Sequence, residues 1–152
     1  MKTQLALVIL VLASWPAVGL GGSDSDFHPK MVLQWQAEDP VCFDPSLPVH
    51  DRFKSVSRFM VGGEVTEPEK IKGENIKTEH FEGIELKTGI PVVELVINTE
   101  GRVELVASLR TTTPEFDKRL GELISTWVFK PATSEGEPVC IRYILTVFIH
   151  YM

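Results

Sequence analysis

Residues 93–109 read VELVINTEGRVELVASL, which is two short runs of apolar residues around a polar loop. Val93, Leu95 and Ile97 alternate with Glu94 and Asn98, and a second alternating run over 103–109 follows a short loop that contains Gly101. Alternation with a period of two residues is typical of a strand with one buried face. Glycine readily adopts the positive φ that a short hairpin loop needs. The stretch therefore predicts a β-hairpin, with Val103, Leu105, Ala107 and Leu109 on one face of its second strand.

The residues after the hairpin predict a helix. Thr113-Pro114-Glu115 provides an N-cap, a proline at the first helical position and an acidic group near the positive end of the helix dipole. Apolar residues then recur at helical spacing until Pro131 ends the pattern. The predicted apolar stripe consists of Phe116, Leu120, Leu123, Ile124 and Trp127, and the predicted solvent side of Asp117, Lys118, Arg119 and Glu122.

Residues 139–151 read VCIRYILTVFIHY and predict a long last strand, because β-branched and aromatic residues dominate it. Both faces of this strand carry apolar side chains, which is typical of a strand buried on both sides. We expect the helix to cover one face, and residues 27–60 or a second subunit to cover part of the other. The fold class predicted is α+β: a small antiparallel sheet of about three strands with a helix on one face.

The segment before this domain predicts little regular structure. Four prolines interrupt residues 27–60, but large apolar and aromatic side chains are also present, and a disordered linker would lack them. We therefore expect residues 27–60 to be an irregular segment that packs on a domain formed by residues 61–152, with a short strand over 31–37. Residues 61–90 are expected to be loop with short extended pieces.

The N-terminus has the pattern of an export signal. Lys2 precedes an apolar run from Leu5 to Ala13, and Ala17-Val18-Gly19 offers small residues for cleavage. We interpret residues 1–19 as a signal peptide and residues 20–26 as a disordered leader, which places the protein in the periplasm or envelope. The alternative is an uncleaved inner-membrane anchor, but Pro16 interrupts an apolar run shorter than the roughly 20 residues that a membrane span requires.

Composition narrows the function classes further. The 152 residues carry a net charge of −6, which argues against nucleic-acid binding because such proteins present basic faces to phosphate groups. An exported chain can also form disulfides. Cys42 and Cys140 are therefore expected to be either a disulfide pair or two separate buried thiols.

The sequence offers little for catalysis. His28, His50, His80 and His150 lie far apart without metal-ligand spacing, and no phosphate-binding or nucleophile motif occurs. We therefore expect a non-enzymatic protein with no catalytic residues, no metal site and no small-molecule cofactor. The alternative is an enzyme or metal-dependent protein that uses the scattered histidines and Cys140.

From about residue 58 to residue 152 the chain resembles the TonB C-terminal domain family. The resemblance is carried by Trp127-Val128-Phe129-Lys130-Pro131-Ala132 followed by Gly136-Glu137-Pro138-Val139, which fits the family signature W-x-F-x-P-A…G-x-P-V. We expect structural roles for these signature residues, since aromatic side chains fill cores and proline and glycine shape turns. The residues concerned are Gly101, Trp127, Phe129, Pro131, Gly136 and Pro138.

The resemblance implies a way of binding. Family members add a partner segment to the edge formed by the last strand, and main-chain hydrogen bonds provide most of the contact. The partner would be a protein or peptide of the envelope, an outer-membrane receptor, or a second copy of this chain. The matching edge residues are Cys140, Arg142, Ile144, Thr146 and Phe148, with Arg142 either pairing with an acidic partner or remaining a solvated charge.

This chain also departs from the family's energy transducers. The apolar N-terminal run lacks the polar coupling residues of their anchor helix, and fewer than forty residues separate the leader from the domain where transducers have a long proline-rich linker. We therefore expect a stand-alone exported binding protein. The alternative is a membrane-anchored energy transducer.

Overall fold

The computed structural model describes residues 31–85 and 90–148. The predicted signal peptide and leader, His28 and His150 therefore lie outside the described residues. The elements in chain order are β1 (Val32–Gln36), α1 (Val49–Lys54), β2 (Glu69–Lys72), a 3-10 turn (Thr78–Phe81), β3 (Val92–Ile97), β4 (Val103–Arg110), α2 (Pro114–Ser125), β5 (Val128–Lys130), β6 (Thr133–Ser134), β7 (Glu137–Pro138) and β8 (Ile141–Thr146).

The predicted hairpin forms the centre of the main sheet. Within the described residues this sheet is antiparallel and has four strands in the order β1-β4-β3-β8. The α+β class is confirmed. The sheet has one strand more than the three expected, because β1 pairs with the outer side of β4.

A β-bulge changes which side chains of β4 face the helix. Ile97 pairs with Val103 whereas Val96 pairs with Leu105, so Glu104 is an extra residue in the ladder. One extra residue reverses the alternation that follows it. Val103 and Val106 consequently join the core under α2, while Leu105 and Ala107 pack on the opposite side. The predicted common face of Val103, Leu105 and Ala107 is therefore wrong.

Helix α2 covers one face of the sheet. Phe116, Leu120 and Ile124 are buried against Val93, Leu95 and Ile97, as their helical spacing predicts. The Thr113 side chain caps the helix by accepting a 3.3 Å hydrogen bond from the Phe116 amide.

The predicted solvent side of α2 is wrong at Asp117. This residue is 2% exposed, and its carboxylate accepts hydrogen bonds from the Thr112 amide at 3.2 Å and the Thr112 hydroxyl at 3.2 Å. The first turn of a helix lies next to the loop that enters it, so the carboxylate folds back and satisfies that loop. Burial raises the pKa of Asp117, and the hydrogen bonds from Thr112 oppose this effect.

The other face of the sheet is covered by residues 31–56. Phe43, Phe53 and Val56 form a second core with Val96, Leu105 and Ala107. Helix α1, which the sequence analysis did not predict, brings Val49 and Phe53 onto this face because residues i and i+4 share one side of a helix. Cys42 is joined to Cys140 by a disulfide with a Cα–Cα distance of 5.9 Å.

The signature segment continues the fold after α2. The helix ends at Ser125, and Val128–Lys130 forms strand β5, which pairs with β2 where the sequence predicted helix and turn. Trp127 remains buried and donates a 2.9 Å hydrogen bond to the Glu74 carbonyl. The Lys70 ammonium lies over its ring, 4.1 Å from the ring centroid. Gly136 has φ +81° in the tight turn between β6 and β7. Trp127 thus contributes to core packing and Gly136 to a tight turn.

Candidate functional site: the outer edge of strand β8

Strand β8 is an edge strand of the main sheet. It pairs with β3 in an unbroken register from Ile141–Ile97 to Thr146–Val92. In an antiparallel ladder, successive residues of an edge strand direct their backbone groups alternately toward the neighbouring strand and away from it. The Arg142 amide and carbonyl point away from β3, because both bond to residues on the other side of β8. Ile144 and Thr146 therefore also present their backbone groups outward.

A three-residue segment covers part of this outer edge. We call Ser57–Phe59 the strap. The Arg142 amide donates a 2.8 Å hydrogen bond to the Ser57 carbonyl, and the Phe59 amide donates a 2.8 Å hydrogen bond to the Arg142 carbonyl. The strap runs parallel to β8. Among the described residues no backbone hydrogen bond reaches the outward groups of Ile144 or Thr146, so the part of the edge without backbone partners begins directly after the strap.

The five predicted edge residues have different environments. Cys140 forms the disulfide, and Arg142 bonds to the strap. Ile144 is half-buried, Thr146 is buried, and Phe148 is half-buried beyond the end of the strand. Of these five, only Ile144 and Thr146 combine a position within β8 with outward backbone groups that the strap does not reach.

A buried carboxylate lies beneath the strap. Glu94 of β3 is fully buried, and its Oε1 atom is 3.2 Å from Arg58 Nε and 3.8 Å from Arg142 Nη1. The Arg58 side chain is 45% exposed and that of Arg142 is 18% exposed. The Arg142 guanidinium is mostly buried and faces Glu94, and its pairing with an acidic partner stays a prediction.

This ion cluster is incompletely hydrogen-bonded. Within the described part of the chain, Glu94 Oε2 and Arg142 Nε are buried without a hydrogen-bond partner. Burial lowers the pKa of Arg142, the negative charge of Glu94 raises it, and the positive charge of Arg58 lowers it again. A buried carboxylate with one unsatisfied oxygen is costly, and an additional donor near it would be favourable.

Sequence reasoning did not identify Glu94, Arg58 or the strap. Glu94 was assigned to the polar side of the hairpin, but residues 31–56 pack on that side of the sheet. Val96, on the same face as Glu94, was the available signal, since an apolar side chain at a position expected to be polar indicates a covered face.

Two residues of the enzyme alternative, His80 and Cys140, have partners within the described part of the chain. No group of three or more His, Cys, Asp or Glu side chains converges there. His80 accepts a hydrogen bond from the Lys77 amide and lies 3.0 Å from Glu74, and Cys140 is in the disulfide rather than a free thiol. In this part of the chain, neither helix is long and apolar enough to cross a membrane.

Comparison of the chain with family models, with curated proteins and with solved structures gives no match. The outer edge of β8 and the cluster beneath its strap are therefore interpreted from their own geometry.

Proposed function

We propose that this protein is a non-enzymatic protein-interaction module of the bacterial envelope, which binds an extended segment of a protein partner along the outer edge of β8. The observation that carries the proposal is that the backbone groups of Ile144 and Thr146 point away from β3 and have no backbone partner among the described residues. A strand edge whose backbone groups lack partners is a template for adding another strand.

The likeness to TonB C-terminal domains supports this proposal. The family resemblance implies a hairpin, a helix and a last strand in this order, and the described chain has β3, β4, α2 and β8 in this order. In the resembled family the corresponding strand receives the partner. A protein of the envelope, including an outer-membrane receptor, is therefore the proposed partner, and a second copy of this chain could use the same edge.

The proposed location rests on the N-terminal sequence and on the disulfide. A basic start, an apolar run and small residues form the expected export signal over residues 1–19. The Cys42–Cys140 disulfide fits an oxidising compartment such as the periplasm.

A matched pair of substitutions at Ile144 tests the proposal. Ile144→Pro removes an outward N–H and leaves the ladder with β3 intact, since proline is tolerated on the open side of an edge strand. Ile144→Val keeps the N–H. In a pull-down from envelope extract with the intact chain as bait, we expect Ile144→Pro to lose the partner and Ile144→Val to keep it.

A third variant distinguishes loss of partner binding at the edge from loss of binding through unfolding. The Leu145 amide points toward β3, so Leu145→Pro removes a ladder donor and should unfold the sheet. Circular dichroism should show a folded Ile144→Pro chain and an unfolded Leu145→Pro chain. Equal partner recovery by folded Ile144→Pro and by the unsubstituted protein would contradict binding at this edge.

A further inference from the structure

We propose that the strap occupies the partner's binding position in the unbound protein. The β8 edge selects an extended segment that runs parallel to β8 and carries a basic residue followed by an aromatic one. The inference rests on the proposed function and names the chemistry of the segment that would bind. Such a segment would displace Ser57–Phe59 and continue along Ile144 and Thr146.

The strap shows what the edge accommodates. Its two hydrogen bonds to Arg142 are those of a parallel strand, with the Arg142 amide bonded to Ser57 and the Arg142 carbonyl bonded to Phe59. Continuing the same pattern by two residues reaches the outward groups of Ile144. The chain instead turns away there, because the Gly63 amide bonds back to the Met60 carbonyl and Gly62 has φ +80°. A longer extended segment would bond to both parts of the edge.

The side chains of the strap point to opposite faces of the sheet, as in any strand. Arg58 reaches the buried Glu94 on one face, and the Phe59 ring contacts Tyr143 on the other with 5.8 Å between ring centroids. These two contacts define the chemistry: a cation for the carboxylate and a flat apolar group for the aromatic ring.

Glu94 makes the basic residue the main element of recognition. The carboxylate is fully buried, and its Oε2 atom has no hydrogen-bond partner among the described residues. Arg58 reaches only Oε1, through a single contact from Nε. A guanidinium that bridges both oxygens of the carboxylate would satisfy the atom that Arg58 leaves unpaired. An acidic residue at this position would face Glu94 directly and should be rejected.

The strap lies at the surface of the protein, apart from the half-buried Phe59. Val56, just before it, is buried, whereas Ser57 and Arg58 are exposed and Met60 and Val61 just after it are 49% and 62% exposed. Displacement would break two backbone hydrogen bonds, the half-exposed Arg58–Glu94 pair and the Phe59 contact, and a bound segment of the same chemistry would replace all of them.

A peptide with the strap's own sequence is the probe. Labelled SVSRFMVGG, which corresponds to residues 55–63, is titrated into the intact chain and followed by fluorescence anisotropy. Matched peptides carry Glu in place of the arginine, or Ser in place of the phenylalanine. The chain is used unsubstituted, as Arg58→Ala and Phe59→Ala to weaken the strap, and as Arg119→Ala, an exposed arginine on α2, for a control.

The expected result is competition between strap and peptide. The peptide can bind only when the strap has left the edge. If that state is rarely populated, the apparent affinity falls in the same proportion, so weakening the strap should tighten peptide binding by about tenfold or more. Arg119→Ala should leave binding unchanged. The Glu-containing peptide should bind about tenfold more weakly than the arginine peptide, and Glu94→Gln in the chain should remove this difference. In NMR spectra the amide signals of Phe59, Ile144 and Thr146 should all shift on binding.

The failures of the two proposals can be told apart. If Arg58→Ala and Phe59→Ala both leave the peptide affinity unchanged, or if the Phe59 amide signal does not shift on binding, the strap does not occupy the partner's position. If the Ile144→Pro pull-down loses its partner while no strap peptide binds, only the present inference fails. If Ile144→Pro keeps its partner, the edge itself is not the binding surface and both fail.

Discussion

Glu104 illustrates, at the scale of a single residue, how a polar side chain in the core is stabilised. It is the extra residue of the β4 bulge and is buried. Its carboxylate accepts hydrogen bonds from the Val41 amide at 2.9 Å, the Cys42 amide at 3.0 Å and the Asn98 side-chain amide at 3.0 Å. The bulge directs this side chain toward the loop that carries Cys42, so one carboxylate fastens the N-terminal segment to the hairpin.

We predict that Glu104→Ala lowers the free energy of unfolding by about 3 kcal/mol, because it leaves partly buried donors without an acceptor. The matched control is Glu115→Ala, an exposed glutamate in the first turn of α2, which should cost at most about 1 kcal/mol through its interaction with the helix dipole. Urea unfolding followed by tryptophan fluorescence measures both. A cost at Glu104 no larger than that at Glu115 would show that the carboxylate does not hold the loop.

At the scale of elements, the turn between β3 and β4 determines how closely strand β5 can approach. Gly101 has φ +79°, and its carbonyl accepts a 2.8 Å hydrogen bond from the Phe129 amide. A Cβ atom on Gly101 would lie 1.7 Å from the Phe129 carbonyl oxygen. Gly136 has nearly the same φ, +81°, but a Cβ atom on Gly136 would have no atom of the described residues within 4 Å beyond its chain neighbours.

A comparison of Gly101 with Gly136 separates the cost of a steric clash from the cost of backbone strain. Gly136→Ala should cost about 1–2 kcal/mol of unfolding free energy, which is the penalty for a left-handed backbone in an L-residue. Gly101→Ala should cost clearly more, because it adds a clash with the Phe129 backbone to the same strain. Thermal and urea unfolding of the two variants provide the comparison. Equal costs would mean that β5 does not approach the turn as closely as described.

At the scale of the molecule, the sheet has a core on each face. Helix α2 forms one, and residues 31–56 form the other around Phe53, Leu105 and Val96. The disulfide links the segment over the second face to the start of β8, across a sequence separation of 98 residues. Cross-linking distant residues stabilises mainly by restricting the unfolded chain.

Replacing both cysteines by alanine should therefore lower the free energy of unfolding by about 2–4 kcal/mol while the fold is retained. The double variant Cys42→Ala/Cys140→Ala is compared with the unsubstituted chain in urea, with and without a dithiol reductant. The reductant should destabilise the unsubstituted chain by a similar amount and leave the variant unchanged. A reductant effect on the variant, or none on the unsubstituted chain, would contradict the prediction.

Local patterns were sufficient for the elements whose signals lie within a few residues. The hairpin around Gly101 and the helix that Thr113 caps follow from alternation, turn chemistry and capping, and the structure confirms both. The same holds for Trp127, which remains in the core although α2 ends before it, because its burial depends on its apolar ring. Short-range rules of this kind require no knowledge of what lies across the sheet.

Features that depend on contacts between distant segments follow from long-range packing. The β4 bulge moved Leu105 and Ala107 to the second face, and the cover provided by residues 31–56 buried Glu94 and Glu104, which alternation alone assigns to solvent. The Ser57–Phe59 strap approaches Arg142 from a segment more than eighty residues earlier, so no local pattern could reveal it. Alternation, capping and turn residues specified the β3–β4 hairpin, helix α2 and the last strand; long-range packing determined which polar groups are buried and which backbone groups of β8 lack partners.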